Sequence, residues 1–212
     1  MPRLERLLEV TRNLSASRNL EHFLQTVISA AQELTTSAAA SILEFDETSE
    51  ALRIIAAPKH DLDSLRGMKI PVDGSAAGWV YRQVKALHIP DTKADARFSA
   101  LDFASAFETQ SLIAVPLMVR GKPLGVLEAA NKADHAHYTE EDITILETLA
   151  APVALAIHNA NLQRRIEASF SELSELDRLK SDFIAITSHE LRTPLGLILG
   201  HATFLRDRKS VV

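Results

Sequence analysis

The sequence predicts an α+β fold in which a sheet is bordered by helices and is followed by one long helix. Apolar residues recur at helical spacing over residues 1–36. The middle of the chain holds short segments, rich in β-branched residues, that are separated by turn residues. From residue 126 to 195 there is no glycine and the only prolines are Pro152 and Pro194, which is typical of a long helix.

The composition indicates a folded domain with an extension. Hydrophobic residues make up 46% of the 212 residues and charged residues 24%. The formal net charge of −5, from 23 basic and 28 acidic residues, argues against a nucleic-acid-binding protein, which would carry a basic patch. The chain has no cysteine, so disulfides, Cys-ligated metals and thiol-linked chromophores are excluded within it.

Neither a membrane segment nor a signal peptide is predicted. No apolar run approaches the roughly 18 residues that a spanning helix needs, and MPRLERLLEV carries Glu and Arg inside its apolar pattern. We therefore expect a cytoplasmic protein without membrane attachment.

Helices and strands are predicted in the first part of the chain from local patterns. A helix is predicted over residues 1–18, and SASRN supplies the residues that begin a second helix, which ends near residue 36. ASILEF and LRIIAA are predicted strands, and LIAVPLMV and LGVLEAAN a hairpin joined by RGKP. Between them, PVDGSAAGWVYRQV predicts a loop that leads into a short helix, and HIPDTKADARFSA an irregular segment. Long loops over a sheet often form small-molecule pockets.

The long helix is predicted to begin after Tyr138. Thr139 and Asp142 form the pattern of a capping box, with Asp in place of the usual Glu. Residues 140–193 would span roughly 80 Å at ~1.5 Å per residue. Pro152 removes one helical hydrogen bond and is expected to bend the rod near its start.

The apolar spacing of this helix predicts a coiled coil over residues 163–180 with one irregularity. Two heptad frames, displaced by three residues, meet at Leu176. The first contains Ile166, Leu173 and Leu176, and the second contains Leu176, Leu179, Phe183 and Ile186. Such a displacement locally overwinds a coiled coil. It is either a strained joint that switches between two packings or a chance irregularity of the sequence.

The segment TSHELRTPL, residues 187–195, places four chemically distinct side chains close together. At ~100° per residue, His189 falls opposite the apolar stripe of the same helix and is expected to face water. Thr193 lies one turn further along the same face, and Glu190 is placed to accept a proton from the imidazole. Pro194 crowds the carbonyl of Glu190, so we expect a bend beyond the histidine.

The stretch DFIAITSHELRTPLGLILG resembles the phosphoacceptor box of sensor histidine kinases, and its core HELRTPL matches the family pattern without departure. The resemblance implies that residues 181–206 are the first helix of a phosphoacceptor domain. His189 would be phosphorylated, Glu190 would be its acid/base neighbour, and Thr193 would position the water that hydrolyses a phosphoaspartate. It also implies a homodimer, a response-regulator receiver domain as partner, and ATP with Mg²⁺ in the complete kinase.

Residues 19–162 resemble a GAF domain, a small-molecule sensor fold with an antiparallel sheet sandwiched by helices. The resemblance rests on the order and spacing of several stretches, among them NLEHFLQTVISAAQEL, GSAAGWV, SLIAVPLMVRGKPLGVLEAANK and YTEEDITILETLAAPVALAIHNANL. It implies a ligand pocket, for which we select Trp79, Tyr81, Asn131 and Lys132 as candidate residues.

The ligand of that pocket is left open. Cyclic-nucleotide-binding GAF domains carry an Asn-Lys…Phe…Asp-Glu pattern, which Asn131, Lys132, Tyr138 and Asp142 match loosely, but Ile143 stands in place of the glutamate. A covalent bilin needs a cysteine, which is absent, and haem would need an axial imidazole. His135 and His137 are too few for a metal site, and none is predicted. The remaining alternative is that the domain binds no ligand and serves only to dimerise.

The end of the chain leads to three further expectations. No Gly-rich phosphate loop occurs in the sequence, so the chain is expected not to phosphorylate itself. DRKSVV, residues 207–212, equals the translation of a common sequencing-adapter end, so we expect an artefactual tail on a truncated protein. Without the second bundle helix, the apolar stripe should lose cover and give dimers, larger oligomers or frayed last turns. The alternative is a GAF ligand-binding or dimerisation module with a non-functional histidine box.

Overall fold

The computed structural model describes residues 19–58, 65–95 and 109–209. The predicted N-terminal helix over residues 1–18 and residues 210–212 of the predicted tail lie outside the described residues. The elements in chain order are α1 (Leu20–Thr35), β1 (Ser37–Asp46), β2 (Ala51–Ala56), β3 (Lys69–Pro71), α2 (Ala76–Gln83), β4 (Leu87–Ile89), β5 (Leu112–Val119), β6 (Lys122–Lys132), a short 3₁₀ turn (Ala133–His135) and α3 (Glu140–Lys209).

The six strands form one antiparallel sheet in the order β3-β2-β1-β6-β5-β4. Strand β1 lies inside the sheet, where Leu43 pairs with Ile54 of β2 and with Val126 of β6. Helices flank this sheet and α3 follows it, which confirms the predicted α+β architecture.

The hairpin predicted at RGKP is present as a two-residue turn. Val119 pairs directly with Lys122, and the two residues between them have positive φ, 50° at Arg120 and 78° at Gly121. Positive φ at both central positions gives the tight turn whose twist matches that of the flanking strands. The turn sets the register of the adjoining residues, and a shift between Leu117 and Met118 offsets the remainder of the β5–β6 pair by one residue.

The segment HIPDTKADARFSA was predicted to be irregular, and this is wrong at its start. His88 and Ile89 belong to β4, which pairs antiparallel with β5 through Leu87 and Ala114. The strand is three residues long, too short to show alternation, and its partner lies more than twenty residues away in the sequence. Residues 96–108, which include the end of this segment, lie outside the described part of the chain.

Each face of the sheet is covered by its own apolar core. On one face, α1 and the first turns of α3 pack over inward residues of β1, β5 and β6. Its fully buried side chains include Phe23, Ile28, Ile42, Ile113, Leu117, Leu127, Leu146 and Leu149. On the other face, α2 packs over a second core that includes Leu43, Leu52, Val80, Leu87 and Ile89. Alternation of successive side chains along the strands supplies both cores at once.

Side chains at the helix starts fix where the chain turns into each helix. Asn19 caps α1, since its Oδ1 accepts from the N–H groups of Glu21 and His22 at 2.9 and 3.4 Å. At the start of α3, Asp142 accepts from the Thr139 N–H at 2.8 Å, and Thr139 Oγ1 accepts from the Asp142 N–H at 3.3 Å. These reciprocal bonds are the predicted capping box.

Helix α3 runs for 70 residues and continues through both Pro152 and Pro194. The chain divides into two units at residues 160 and 161, so the first turns of α3 belong to the sheet domain and the remainder forms the second unit. Within Glu140–Ile184, one stretch is long and apolar enough to cross a membrane, and 44% of it is buried in the protein. Its buried residues, among them Leu146, Leu149 and Val153, are core residues of the sheet domain.

Candidate functional site

The histidine segment lies on the backbone of α3. Residues 187–195 are helical throughout, and the helix continues to Lys209. His189 and Thr193 are four residues apart, about 6 Å along the helix axis. The side chains of His189, Glu190 and Thr193 lie outside the described part of the structure, so their predicted orientation and roles stay predictions. The helical backbone at this segment agrees with the prediction.

The short helix α2 carries two of the four candidate pocket residues, Trp79 and Tyr81. Its start is fixed by Ser75, whose Oγ accepts from the Gly78 N–H at 3.0 Å and donates to the carbonyl of Pro71 at 2.5 Å. Gly78 permits α2 to approach the preceding loop, since a Cβ there would lie 2.0 Å from the carbonyl oxygen of Val72. Trp79 and Tyr81 are half-buried against the second core.

Tyr81 stacks on Phe45 of β1, with ring centroids 4.6 Å apart and planes 20° from parallel. Burial raises the pKa of Tyr81, and the nearby charge of Glu47 acts in the same direction. The phenol is therefore a neutral group at physiological pH. Phe45 was not selected from the sequence as a pocket residue. Only its stacking on Tyr81 of α2 identifies it as a neighbour of the aromatic pair.

Asn131 fixes the backbone of the two residues that precede β5. Its backbone is left-handed, with φ 55°, which asparagine tolerates better than most residues. Its Oδ1 accepts from the N–H of Gln110 at 2.6 Å and from that of Ser111 at 3.3 Å. The Asn131 N–H donates to the Ser111 carbonyl at 2.9 Å. The amide oxygen therefore serves a backbone contact that ties β5 to the end of β6.

Lys132 is bound in the protein through its ammonium group. Nζ donates to Asp142 Oδ2 at 2.6 Å and to the Thr35 carbonyl at 3.1 Å, and it lies 5.3 Å from the centre of the Tyr138 ring. The two side chains of the ion pair are 12% and 3% exposed. Burial raises the pKa of Asp142, but the bonds from Lys132 and Thr139 outweigh it and lower the pKa of that carboxyl below its ordinary value.

Three hydroxyl groups continue this cluster into the domain. Tyr138 Oη lies 2.9 Å from Ser37 Oγ, which lies 2.6 Å from Thr35 Oγ1. Thr35 Oγ1 donates to the Ala31 carbonyl at 2.6 Å. Burial raises the pKa of Tyr138 to about 12, with the charge of Asp142 adding to it and the bond from Ser37 opposing it. The loose Asn-Lys…Tyr…Asp pattern thus joins α1, β6 and α3.

The four candidate pocket residues form two separate pairs. Asn131 and Lys132 line a polar cleft of about 370 Å³ together with Asp91, Lys93, Gln110 and Ser111. Trp79 and Tyr81 do not belong to that lining and pack against the second core. Of the four selected residues, Trp79 and Tyr81 therefore lie in an apolar setting. Asn131 and Lys132 are held by their own hydrogen bonds within the protein.

Comparisons with known proteins identify two families along the chain. A family model described as GAF domain matches residues 17–158, and one described as His Kinase A (phospho-acceptor) domain matches residues 179–211. The chain resembles the GAF domain of a phosphoenolpyruvate-protein phosphotransferase from Coxiella burnetii with a TM-score of 0.69 and 19% identity. That match covers 77% of this chain and 96% of the other.

The curated relatives include histidine kinases. Hybrid signal transduction histidine kinase G of Dictyostelium discoideum is 26% identical over 140 residues, which are 63% of this chain and 4% of the relative. Circadian input-output histidine kinase CikA of Thermosynechococcus vestitus is 31% identical over 123 residues, which are 49% of this chain and 17% of the relative. The chain thus spans a minor part of the length of these relatives. It belongs to the GAF-domain family and carries, after that domain, a segment of the His Kinase A phosphoacceptor family.

Proposed function

We propose that this chain is the sensory and phosphoacceptor portion of a cytoplasmic two-component sensor histidine kinase. The observation that carries the proposal is the sequence HELRTPL on a helical backbone, inside a segment that matches the phosphoacceptor family. A lone histidine on a helix would carry no such inference. Here the neighbouring Glu190, Thr193 and Pro194 stand in the order that the phosphoacceptor box requires.

In the proposed reaction, one imidazole nitrogen of His189 attacks the γ-phosphorus of ATP. The bond between that phosphorus and the β–γ bridging oxygen breaks, and ADP leaves with the electron pair. The lone pair of the attacking nitrogen forms the new N–P bond, and Glu190 accepts the proton from the other ring nitrogen, so the phosphorylated imidazole carries no positive charge. A separate nucleotide-binding domain would supply ATP and Mg²⁺, since phosphoryl transfer depends on positioning and on stabilisation of developing charge.

The phosphoryl group then passes from His189 to an aspartate carboxylate on a response-regulator receiver domain. In the phosphatase reaction, which hydrolyses the phosphoaspartate of the response regulator, Thr193 would position the attacking water. Both roles need a partner to reach the helix from solvent. The described neighbours Arg192 and Pro194 are exposed, in support of an accessible segment.

The GAF domain is the proposed sensor. Trp79 and Tyr81 on α2 are the side chains that we propose contact a small-molecule ligand, because aromatic groups in an apolar setting suit most organic ligands. Asn131 and Lys132 are proposed as ligand contacts in the polar cleft that they line at the C-terminal end of β6. The signal would pass along α3, since this one helix begins in the domain core and includes His189.

A second candidate function is a GAF ligand-binding or dimerisation module with a non-functional histidine box. The observation that favours it is that the GAF match covers the larger part of the chain, and that a similar fold occurs in a phosphoenolpyruvate-protein phosphotransferase. A fold alone does not determine which output a sensor domain controls.

A trans-phosphorylation experiment separates the two candidates. The chain is incubated with the ATP-binding domain of a histidine kinase and γ-labelled ATP, and acid-labile label is measured. We expect label on the wild type and on His201→Gln, a matched change elsewhere in the same helix, and none on His189→Gln. Absence of label from the wild type with ATP-binding domains from several kinases would favour the second candidate.

A further inference from the structure

The sheet carries a carboxylate on the face that α2 covers. Glu128 lies in β6 between Leu127 and Ala129, which are both buried in the core under α1 and α3. Because successive side chains of a strand point to opposite faces, Glu128 faces the side of α2. Val126 and Ala130, two residues away on either side, pack in the core under α2 and agree with this orientation. Glu128 was not among the residues selected from the sequence.

Glu128 is the only charged residue in three rows of paired residues that cross this face. The rows run from β1 through β6 to β5 and consist of Ala39, Ala130 and Leu112, of Ser41, Glu128 and Ala114, and of Leu43, Val126 and Pro116. Ser41 Oγ donates to Glu128 Oε2 at 3.1 Å. A carboxylate on an apolar face costs free energy unless donors compensate it. A few polar groups in an otherwise apolar lining are the usual composition of a small-molecule site.

Solvent reaches the sheet at this carboxylate. Glu128 is half-buried, and so are three small residues beside it, Ala39, Ser41 and Ala130. The larger aliphatic residues of the same rows are at most 4% exposed, namely Leu43, Leu112 and Val126. Because the side chains of the three small residues are short, they leave space above β1 and β6. A ligand group can therefore approach Glu128 from above the sheet.

We propose that Glu128 binds the protonated nitrogen of a small organic cation, an ammonium, amidinium or guanidinium compound with an apolar body. The inference rests on the proposed sensor role and names the class of ligand that this role would use. An N–H group of a cation forms a charge-assisted hydrogen bond to a carboxylate, which is stronger than a bond between neutral groups. The hydroxyl of Ser41 positions the carboxylate, and Glu128 supplies the charge that selects the ligand.

The same charge disfavours anionic ligands at this position. A phosphate or carboxylate placed over Glu128 would meet a like charge where most of the screening water has been removed. The residues that loosely match a cyclic-nucleotide pattern do not supply a compensating cation here, since Lys132 is paired with Asp142 inside the protein. The body of the ligand would be apolar because the remainder of the three rows is.

Binding of matched cations and anions to the full chain tests this inference. The cations are benzamidinium and phenethylammonium, and benzoate and 3-phenylpropionate are anions with the same apolar bodies. Trp79 is the only tryptophan and packs against the same core, so its fluorescence reports binding, and calorimetry gives the dissociation constants. We expect both cations to bind at least about 10-fold more tightly than the matched anions.

Replacement of the carboxylate tests the role of Glu128 itself. Glu128→Gln keeps the size of the side chain and should raise the dissociation constants of both cations about 10-fold, without weakening the anions. Glu47→Gln is the matched control, because Glu47 is an exposed carboxylate of the same domain and its loss should change neither. Circular dichroism and thermal unfolding show whether each variant is folded.

Filling the space tests the location without a change of charge. Ala130→Leu and Ala39→Leu, on neighbouring strands, each place a larger side chain beside Glu128 and should weaken both cations about 10-fold or more. Ala38→Leu, at an exposed position of β1, is the control and should leave the dissociation constants unchanged.

Several results would overturn the inference. These are a wild type that binds neither cation, equal affinity for the matched anions, or cation affinity that is unchanged in Glu128→Gln or in both space-filling variants. An equal effect of Glu47→Gln would assign the binding to general surface charge and overturn it as well. None of these readouts uses phosphorylation. Failure of cation binding with a labelled His189 would therefore count against this inference alone, and an unlabelled His189 in a chain that binds the cations would count against the proposed function alone.

Discussion

The ammonium of Lys132 lies 2.6 Å from a carboxylate oxygen of Asp142, and this contact joins the end of β6 to the first turn of α3. Asp142 at the same time caps α3 through its bonds with Thr139. One carboxylate thus holds the strand, the helix start and, through Lys132, the C-terminal end of α1 at Thr35. The helix that leads to His189 begins at this contact.

Removal of one partner of this ion pair should destabilise the domain strongly. Lys132→Met leaves Asp142 as a buried, partly uncompensated charge, for which we expect a loss of about 3 kcal/mol in the free energy of unfolding. Arg66→Met is the control, since the Arg66–Glu21 pair has side chains 56% and 52% exposed and should cost less than about 1 kcal/mol. Urea unfolding at pH 7 measures both, and equal losses would show that the buried pair has no special part in stability.

Acid should remove the contribution of Asp142. Its pKa is lower in the folded protein than in the unfolded chain, so its stabilising effect is present above the unfolded pKa and is lost as the pH falls through the folded pKa. We expect the stability difference between wild type and Asp142→Asn to shrink as the pH is lowered from 6 toward the acid range, roughly below pH 4. A difference that is constant with pH would exclude this linkage.

Alkali should act through Tyr138 with the opposite sign. The folded pKa of about 12 exceeds the ordinary value of 10.0, so the contribution is complete below the ordinary value and is lost as the pH rises through the folded one. Between these limits, the wild type should lose about 2 kcal/mol of stability that Tyr138→Phe does not lose. Unfolding of both proteins at pH 9 and at about pH 11.5 measures this. Parallel losses would contradict it.

The close approach of β1 and β6 requires glycine at position 125. A Cβ there would lie 1.9 Å from the carbonyl oxygen of Leu43, a main-chain atom that cannot move aside without distorting the strand pair. We expect Gly125→Ala to destabilise the domain by about 3 kcal/mol, at the upper end of overpacking effects. Gly196→Ala, where a Cβ meets no atom within 4 Å, should leave domain unfolding unchanged. Thermal unfolding of the two variants tests this.

The end of α2 stores strain at Val84. This residue is left-handed, with φ 52° and ψ 42°, although it is β-branched. Because glycine adopts this conformation without steric cost, Val84→Gly should stabilise the domain by about 1 kcal/mol. Val84→Ala keeps the Cβ and should gain much less. Destabilisation by Val84→Gly in chemical unfolding would show that the exposed valine contributes packing that outweighs the strain.

Features determined by neighbouring residues were predictable from the sequence. The Thr139–Asp142 capping box, the Asn19 start of α1 and the Arg120–Gly121 turn each depend on residues within a few positions, and all three are present. The HELRTPL segment was recognisable because its residue types stand in fixed order on one helix.

Features that depend on distant residues were not predictable in this way. Strand β4 exists because Leu87–Ile89 pairs with β5, and three residues carry no period of their own. The amide oxygen of Asn131 accepts from the N–H groups of Gln110 and Ser111, which lie some twenty residues earlier. The bond from Lys132 to the Thr35 carbonyl spans almost a hundred residues. Periodicity contains no information on such contacts.

The most direct test of the central claim is to locate the phosphoryl group after phosphorylation in trans. Peptides of the labelled chain are kept at neutral to alkaline pH, because phosphohistidine hydrolyses in acid, and are analysed by mass spectrometry. We predict a single phosphate, on His189, that a receiver domain removes within the reaction time. Phosphate on any other residue, or a His189 that stays unmodified while the ATP-binding domain labels its own native acceptor, would contradict the account.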